Sequence, residues 1–88
     1  MELKYGLKIT RAAKRGLAKV PKDYEKRIEQ ALLILCKNPL PPGSKKVLGT
    51  DYLRVRIGDF RIIYQIIEQK LLICVVRVAH RHEVYRNL

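Results

Sequence analysis

The stretch that decides the fold runs Tyr52-Leu53-Arg54-Val55-Arg56-Ile57-Gly58-Asp59-Phe60-Arg61-Ile62-Ile63-Tyr64. Its first half alternates with period two, so Leu53, Val55 and Ile57 face one way and Tyr52, Arg54 and Arg56 the other, as in a half-buried strand. Gly58-Asp59 suits the type II′ turn of a two-residue hairpin, with glycine at the first central position. That register places Ile57 opposite Phe60 and Arg56 across from Arg61. Like charges facing each other across antiparallel strands are destabilising by roughly 0.2–1 kcal/mol, so a fold that keeps this pair points to an anionic ligand.

Moving outward, residues 61–67 turn back near Glu68-Gln69-Lys70 into residues 71–78. Whichever two turn residues are central, Arg61 is expected opposite Val76 or Val78, and His80 joins the same face if the strand persists. One face thus collects Arg54, Arg56, Arg61 and His80. It also carries Ile63, Ile67, Leu72, Cys74 and Val76, an apolar set too large to leave bare, so a second protein is expected to cover part of it. The other face presents Leu53, Val55, Ile57, Ile62, Tyr64, Ile66, Leu71, Ile73 and Val75 to a core. Arg77 falls on that core face and reads as a structural residue that snorkels or pairs with an acidic partner.

Toward the N-terminus, Leu3, Tyr5, Leu7 and Ile9 alternate over residues 2–9 and predict a first strand. Thr10 is placed to cap a short helix over residues 11–19, in which Gly16 costs about 1 kcal/mol relative to alanine. Pro21 opens a second helix whose buried stripe is Tyr24, Ile28, Ala31, Leu32 and Leu35, with Asp23 and Glu25 at its positive end. Asn38-Pro39 stops it, and a stiff loop rich in proline leads to Lys45 and Lys46. The expected architecture is α+β: strand, helix, helix, then a three-stranded meander, an antiparallel sheet with both helices on one face.

A chain of 88 residues has material for one core, so residues 1–88 are read as a single domain. Nineteen Lys and Arg against eight Asp and Glu give a formal charge of +11. This surplus implies a polyanionic partner, with nucleic acid ahead of an anionic membrane. No apolar run is long enough to span a bilayer and the basic start has no signal-peptide core, which predicts a cytoplasmic protein. Cys36 and Cys74 lack metal-like spacing and read as small buried hydrophobes. His80-x-His82 offers too few ligands for a metal, and no cofactor is implied.

The quoted stretch, together with Val78-Ala79-His80-Arg81-His82-Glu83-Val84-Tyr85-Arg86, resembles the RelE branch of the RelE/ParE toxin superfamily. The resemblance extends to the helix pair and to Asn38-Pro39-Leu40-Pro41-Pro42-Gly43. It implies the toxin of a type II toxin–antitoxin system, a metal-independent endoribonuclease that cuts messenger RNA in the ribosomal A site and blocks translation. A RelB-like antitoxin would wrap and silence it in a hetero-oligomer. The family's basic pair falls on Arg54 and Arg56, its later arginines on Arg61 and Arg81, and its C-terminal tyrosine on Tyr85.

RNA cleavage through the 2′-hydroxyl needs a proton acceptor, a proton donor for the leaving 5′-oxygen, and cations around the charge growing on phosphorus. Arginines meet the last need through bidentate contacts, but a guanidinium that never deprotonates cannot be the base. Some family members carry lysines where Arg54 and Arg56 stand, so proton transfer here is expected from Tyr85 or a histidine, His80 or His82. Arg61 and Arg81 would hold the scissile phosphate and Arg54 and Arg56 would orient the strand. Lys45, Lys46 and His82 are further candidates for RNA contact. Plainer readings stand beside these: Arg54 and Arg56 as solvated edge charges, Lys45 and Lys46 as a wet loop, Tyr85 as a packing anchor. At the level of the whole chain the alternatives are a ParE-like inhibitor of DNA gyrase, a non-catalytic RNA-binding or ribosome-binding module, and an inactive remnant.

Overall fold

Residues 3–83 are described by a computed structural model, and the hairpin read from residues 52–64 lies at the heart of its sheet. Along the chain the elements are β1 (Gly6–Ile9), α1 (Arg11–Ala18), α2 (Lys22–Lys37), β2 (Lys45–Lys46), β3 (Leu53–Ile57), β4 (Phe60–Ile67), a 3-10 turn (Glu68–Lys70) and β5 (Leu72–His80). β3 and β4 pair in the expected register, with Val55 opposite Ile62, Arg56 opposite Arg61 and Ile57 opposite Phe60. Gly58 has φ 59° while Asp59 keeps a negative φ, as a type II′ turn requires. A Cβ on Gly58 would also lie 2.6 Å from the Tyr24 hydroxyl, so space and conformation both demand glycine there.

The α+β architecture is the expected one, and the meander β3–β4–β5 forms as read. The sheet has five strands in the order β1-β5-β4-β3-β2. It is mixed, because β1 runs parallel to β5, Leu7 beside Ile73 and Ile9 beside Val75. Lys45 and Lys46, read as loop, form a two-residue edge strand opposite Arg54 and Leu53.

α1 starts where its cap puts it, and α2 starts at Lys22, one residue after Pro21, which stands at the N-cap with no side-chain bond. The Thr10 hydroxyl accepts the Ala13 N–H at 3.1 Å and donates to the Val76 carbonyl at 2.9 Å, capping α1 and tying it to β5. Gly16 explains its presence within a helix by packing: a Cβ there would stand 2.0 Å from the Val78 carbonyl oxygen, so only glycine lets α1 lie this close to β5. α2 carries Asp23 and Glu25 in its first turn and buries Ile28, Ala31, Leu32, Leu35 and Cys36. Of these, Ile28, Ala31, Leu32 and Leu35 pack with Val55, Ile62, Tyr64, Ile73, Val75 and Val78 into one core, to which Tyr24, Leu53, Ile57 and Ile66 add partly buried surface. The Tyr64 hydroxyl is satisfied by donating to the Pro39 carbonyl at 2.7 Å, anchoring the proline loop to the sheet. Cys36 and Cys74 are both free and buried.

β5 departs from the expected register at one place, and several residues change sides as a result. Ile63 is opposite Arg77 but Tyr64 is opposite Val75, so β5 holds one extra residue, a bulge. Before the bulge Ile73 and Val75 point to the core; beyond it Val78 and His80 do, paired with Ile62 and Phe60. Arg61 therefore faces Ala79, not Val76 or Val78. Leu71, expected in the core, is 49% exposed in a left-handed conformation, because the 3-10 turn absorbs Glu68–Lys70 and delays the strand by a residue. On the face away from the helices, Ile63 and Cys74 are buried within the chain itself, and Ile67, Leu72 and Val76 are only partly exposed. That face is less bare than its composition suggested.

Candidate RNA-binding and catalytic site

Cross-strand partners share a face, so the register fixes which cations meet. Arg54, Ile63 and Arg77 form one row across β3, β4 and β5, and Arg56, Arg61 and Ala79 form the next. Arg54, Arg56 and Arg61 thus share the face opposite the core, as expected. His80 does not join them. The bulge turns it to the helix side, where its ring meets Phe60 edge-on with centroids 5.3 Å apart. Phe60 in turn packs edge-on against Tyr24 at 5.0 Å. Arg77 takes the reverse path, from the expected core face to the arginine face.

Arg81 follows the end of β5 and is held at the β3–β4 turn. Its N–H donates to the Asp59 carbonyl at 2.8 Å, and its Nε lies 3.7 Å from Asp59 Oδ1. Both side chains of that ion pair are half exposed, so it contributes well under about 1 kcal/mol and serves to aim Arg81. Arg61 Nη1 donates to the Arg81 carbonyl at 3.3 Å, which brings the two arginines to the same end of the sheet. Beside them, His82 stacks on His80 at 4.9 Å and its backbone N–H donates to His80 Nδ1 at 3.3 Å. With Nδ1 accepting, Nε2 carries the hydrogen of the neutral His80 ring and is a donor. The Glu83 carboxylate accepts the His80 N–H at 3.1 Å and closes this turn. Tyr85 lies outside the described residues. Lys45 and Lys46 are exposed on β2 at the far edge of the sheet, Lys45 directly opposite Arg54.

Arg77 was missed by the alternation of residues 71–78, although an arginine interrupting the apolar set Ile73, Val75 is itself a sign that the strand changes face there. Among the described residues no group of three or more His, Cys, Asp or Glu is arranged to hold a metal, and no helix is long and apolar enough to cross a membrane. The arrangement is suited to gripping phosphate by several guanidinium groups on a shallow open surface.

The sequence matches, over residues 7–85, the family described as ParE toxin of type II toxin-antitoxin system, parDE. Toxin RelG of Mycobacterium tuberculosis is 30% identical, with 94% of this chain and 98% of RelG covered. The archaeal RelE–RelB complex from Pyrococcus horikoshii OT3 contains a similar structure, with a TM-score of 0.77 at 25% identity over 93% of this chain and 100% of that one. The toxin–antitoxin complex RelBE2 of Mycobacterium tuberculosis gives a TM-score of 0.78 at 23% identity, covering 94% and 98% of the two chains, a likeness of fold. A match across most of the sequence and a relative aligned over nearly the full length of both proteins lead to one assignment: the chain belongs to the RelE/ParE toxins of type II toxin–antitoxin systems.

Proposed function

We propose that this toxin is a metal-independent endoribonuclease that cuts messenger RNA in the ribosomal A site and so arrests translation. The observation that carries the reading is the convergence of Arg56, Arg61 and Arg81 at one end of the sheet, through the Arg56–Arg61 pairing and the Arg61–Arg81 hydrogen bond. Arg61 and Arg81 hold the scissile phosphate and stabilise the charge that builds on it; Arg54 and Arg56 orient the strand, with Lys45, Lys46 and His82 as outer contacts. Tyr85 or a histidine moves the proton, and of the two histidines His82 is the exposed one. A RelB-like antitoxin, of the kind in the solved complexes from Pyrococcus horikoshii and Mycobacterium tuberculosis, silences the toxin in a hetero-oligomer. Residues 1–88 act as one domain, in the cytoplasm where ribosomes and messages are.

Primer extension on translated messages after induction tests this: discrete cuts within codons are expected. Arg61→Ala or Arg81→Ala should slow cutting about 10²–10³-fold, the usual cost of one transition-state donor. Wild-type cutting by either variant eliminates the assignment. The ParE description of the matched family favours a second reading, inhibition of DNA gyrase by binding. Intact messages accompanied by broken or blocked DNA would decide for it.

A further inference from the structure

The bulge that moves Arg77 to the open face also brings it beside α1, and a polar cleft of about 160 Å³ opens there, lined by Arg15, Gly16, Lys19, Arg77, Val78 and Glu83. Arg15 and Lys19 are one helical turn apart, a like-charge spacing that costs a helix about 0.2–0.5 kcal/mol. A third cation from β5 adds to that repulsion. Among the described residues none of the three makes an ion pair. Glu83 lines the same cleft, but its carboxylate is engaged by the His80 N–H. Three cations thus converge on a concavity holding one carboxylate, an arrangement stabilised by an incoming anion.

Its place in the sheet says which anion. Arg77 and Arg54 flank Ile63 in one cross-strand row, two strand spacings or roughly 10 Å apart, on the face that carries Arg56 and Arg61. We infer that the α1–β5 cleft is a second phosphate subsite, distinct from the cutting site, where Arg15, Lys19 and Arg77 grip the backbone of single-stranded RNA running across the sheet. This rests on the proposed RNA substrate and extends it to a longer track. Gly16 is what permits it, because any side chain there would hold α1 away from β5 and open the cleft.

The test uses the full chain from cell-free synthesis and a labelled 2′-O-methyl RNA that cannot be cut, with binding followed by fluorescence anisotropy across a salt titration. A single-strand contact contributes about 0.7 to the salt slope, which amounts to about fivefold in affinity at 0.1 M relative to 1 M salt. Arg77→Gln and Lys19→Gln should each weaken binding about fivefold, and together about 25-fold, with the slope reduced accordingly. Glu83→Gln should bind RNA more tightly, a direction that misfolding would not produce. On ribosomes, Lys19→Gln should raise KM and leave the maximal cutting rate unchanged. Wild-type affinity and slope in Arg77→Gln and Lys19→Gln overturn the subsite, as does an acidic peptide whose binding these variants abolish while RNA binding persists. A wild-type chain that binds RNA through the cleft yet leaves translated messages whole removes the nuclease reading and keeps the subsite; efficient cutting with indifferent cleft variants does the opposite.

Discussion

Among the described residues, Tyr5, Cys36 and Tyr64 hold their protons more tightly than usual. Burial pushes the Cys36 thiol up, and burial raises the Tyr64 hydroxyl against a smaller opposing effect of a hydrogen bond with Ser44. Tyr5 is raised chiefly by donating its hydroxyl to the Glu68 carboxylate, with both oxygens at 3.0 Å. A group with a raised folded pKa binds its proton better folded than unfolded, so its stabilisation is complete below the ordinary value and lost as pH climbs through the folded one. The ordinary values are 9.0 for Cys36 and 10.0 for the tyrosines, which places the loss on the alkaline side. Urea midpoints should fall from pH 8 to pH 10.5, and Tyr64→Phe should shallow that decline while lowering stability at pH 8 by about 1 kcal/mol through the lost bond to Pro39. A decline as steep in Tyr64→Phe as in the parent rejects the assignment.

At the scale of elements, the contact of α1 with β5 reverses an ordinary expectation. Gly→Ala inside a helix usually adds up to about 1 kcal/mol of stability. Gly16→Ala should instead cost about 1–3 kcal/mol, because its Cβ must displace the Val78 carbonyl. Thermal unfolding reads the sign directly, and a raised Tm would mean that α1 does not pack as described. The same contact marks the limit of what the sequence could tell. The β3–β4 hairpin was legible because alternation and a Gly-Asp turn are local signals, and with it came the shared face of Arg54, Arg56 and Arg61. Both helices were legible from Thr10, Pro21 and the apolar stripe. The parallel pairing of β1 with β5 was not, since it joins residues more than sixty positions apart through no local pattern. Nor was the bulge, which exchanges Arg77 and His80 between faces without leaving a turn residue behind. Extrapolating a period of two through that point is what misplaced both.

For the molecule as a whole, +11 on 88 residues is a standing self-repulsion. The Debye length shrinks from about 30 Å at 0.01 M salt to about 8 Å at 0.15 M, so added salt should screen that repulsion and stabilise the free chain. Melting curves recorded across that range should shift upward, and a flat or falling Tm would show that the cations are compensated within the fold. The cost is consistent with a protein whose surface is shaped for polyanions. The strand order carries a further consequence, for synthesis. β5 lies between β1 and β4, so the first strand made has no neighbour until the last of the described strands has been translated. Until residues 72–80 leave the ribosome the nascent polypeptide has neither a closed core nor the Arg77 end of its Arg54–Ile63–Arg77 row, so everything made before β5 must wait on the ribosome with its sheet open.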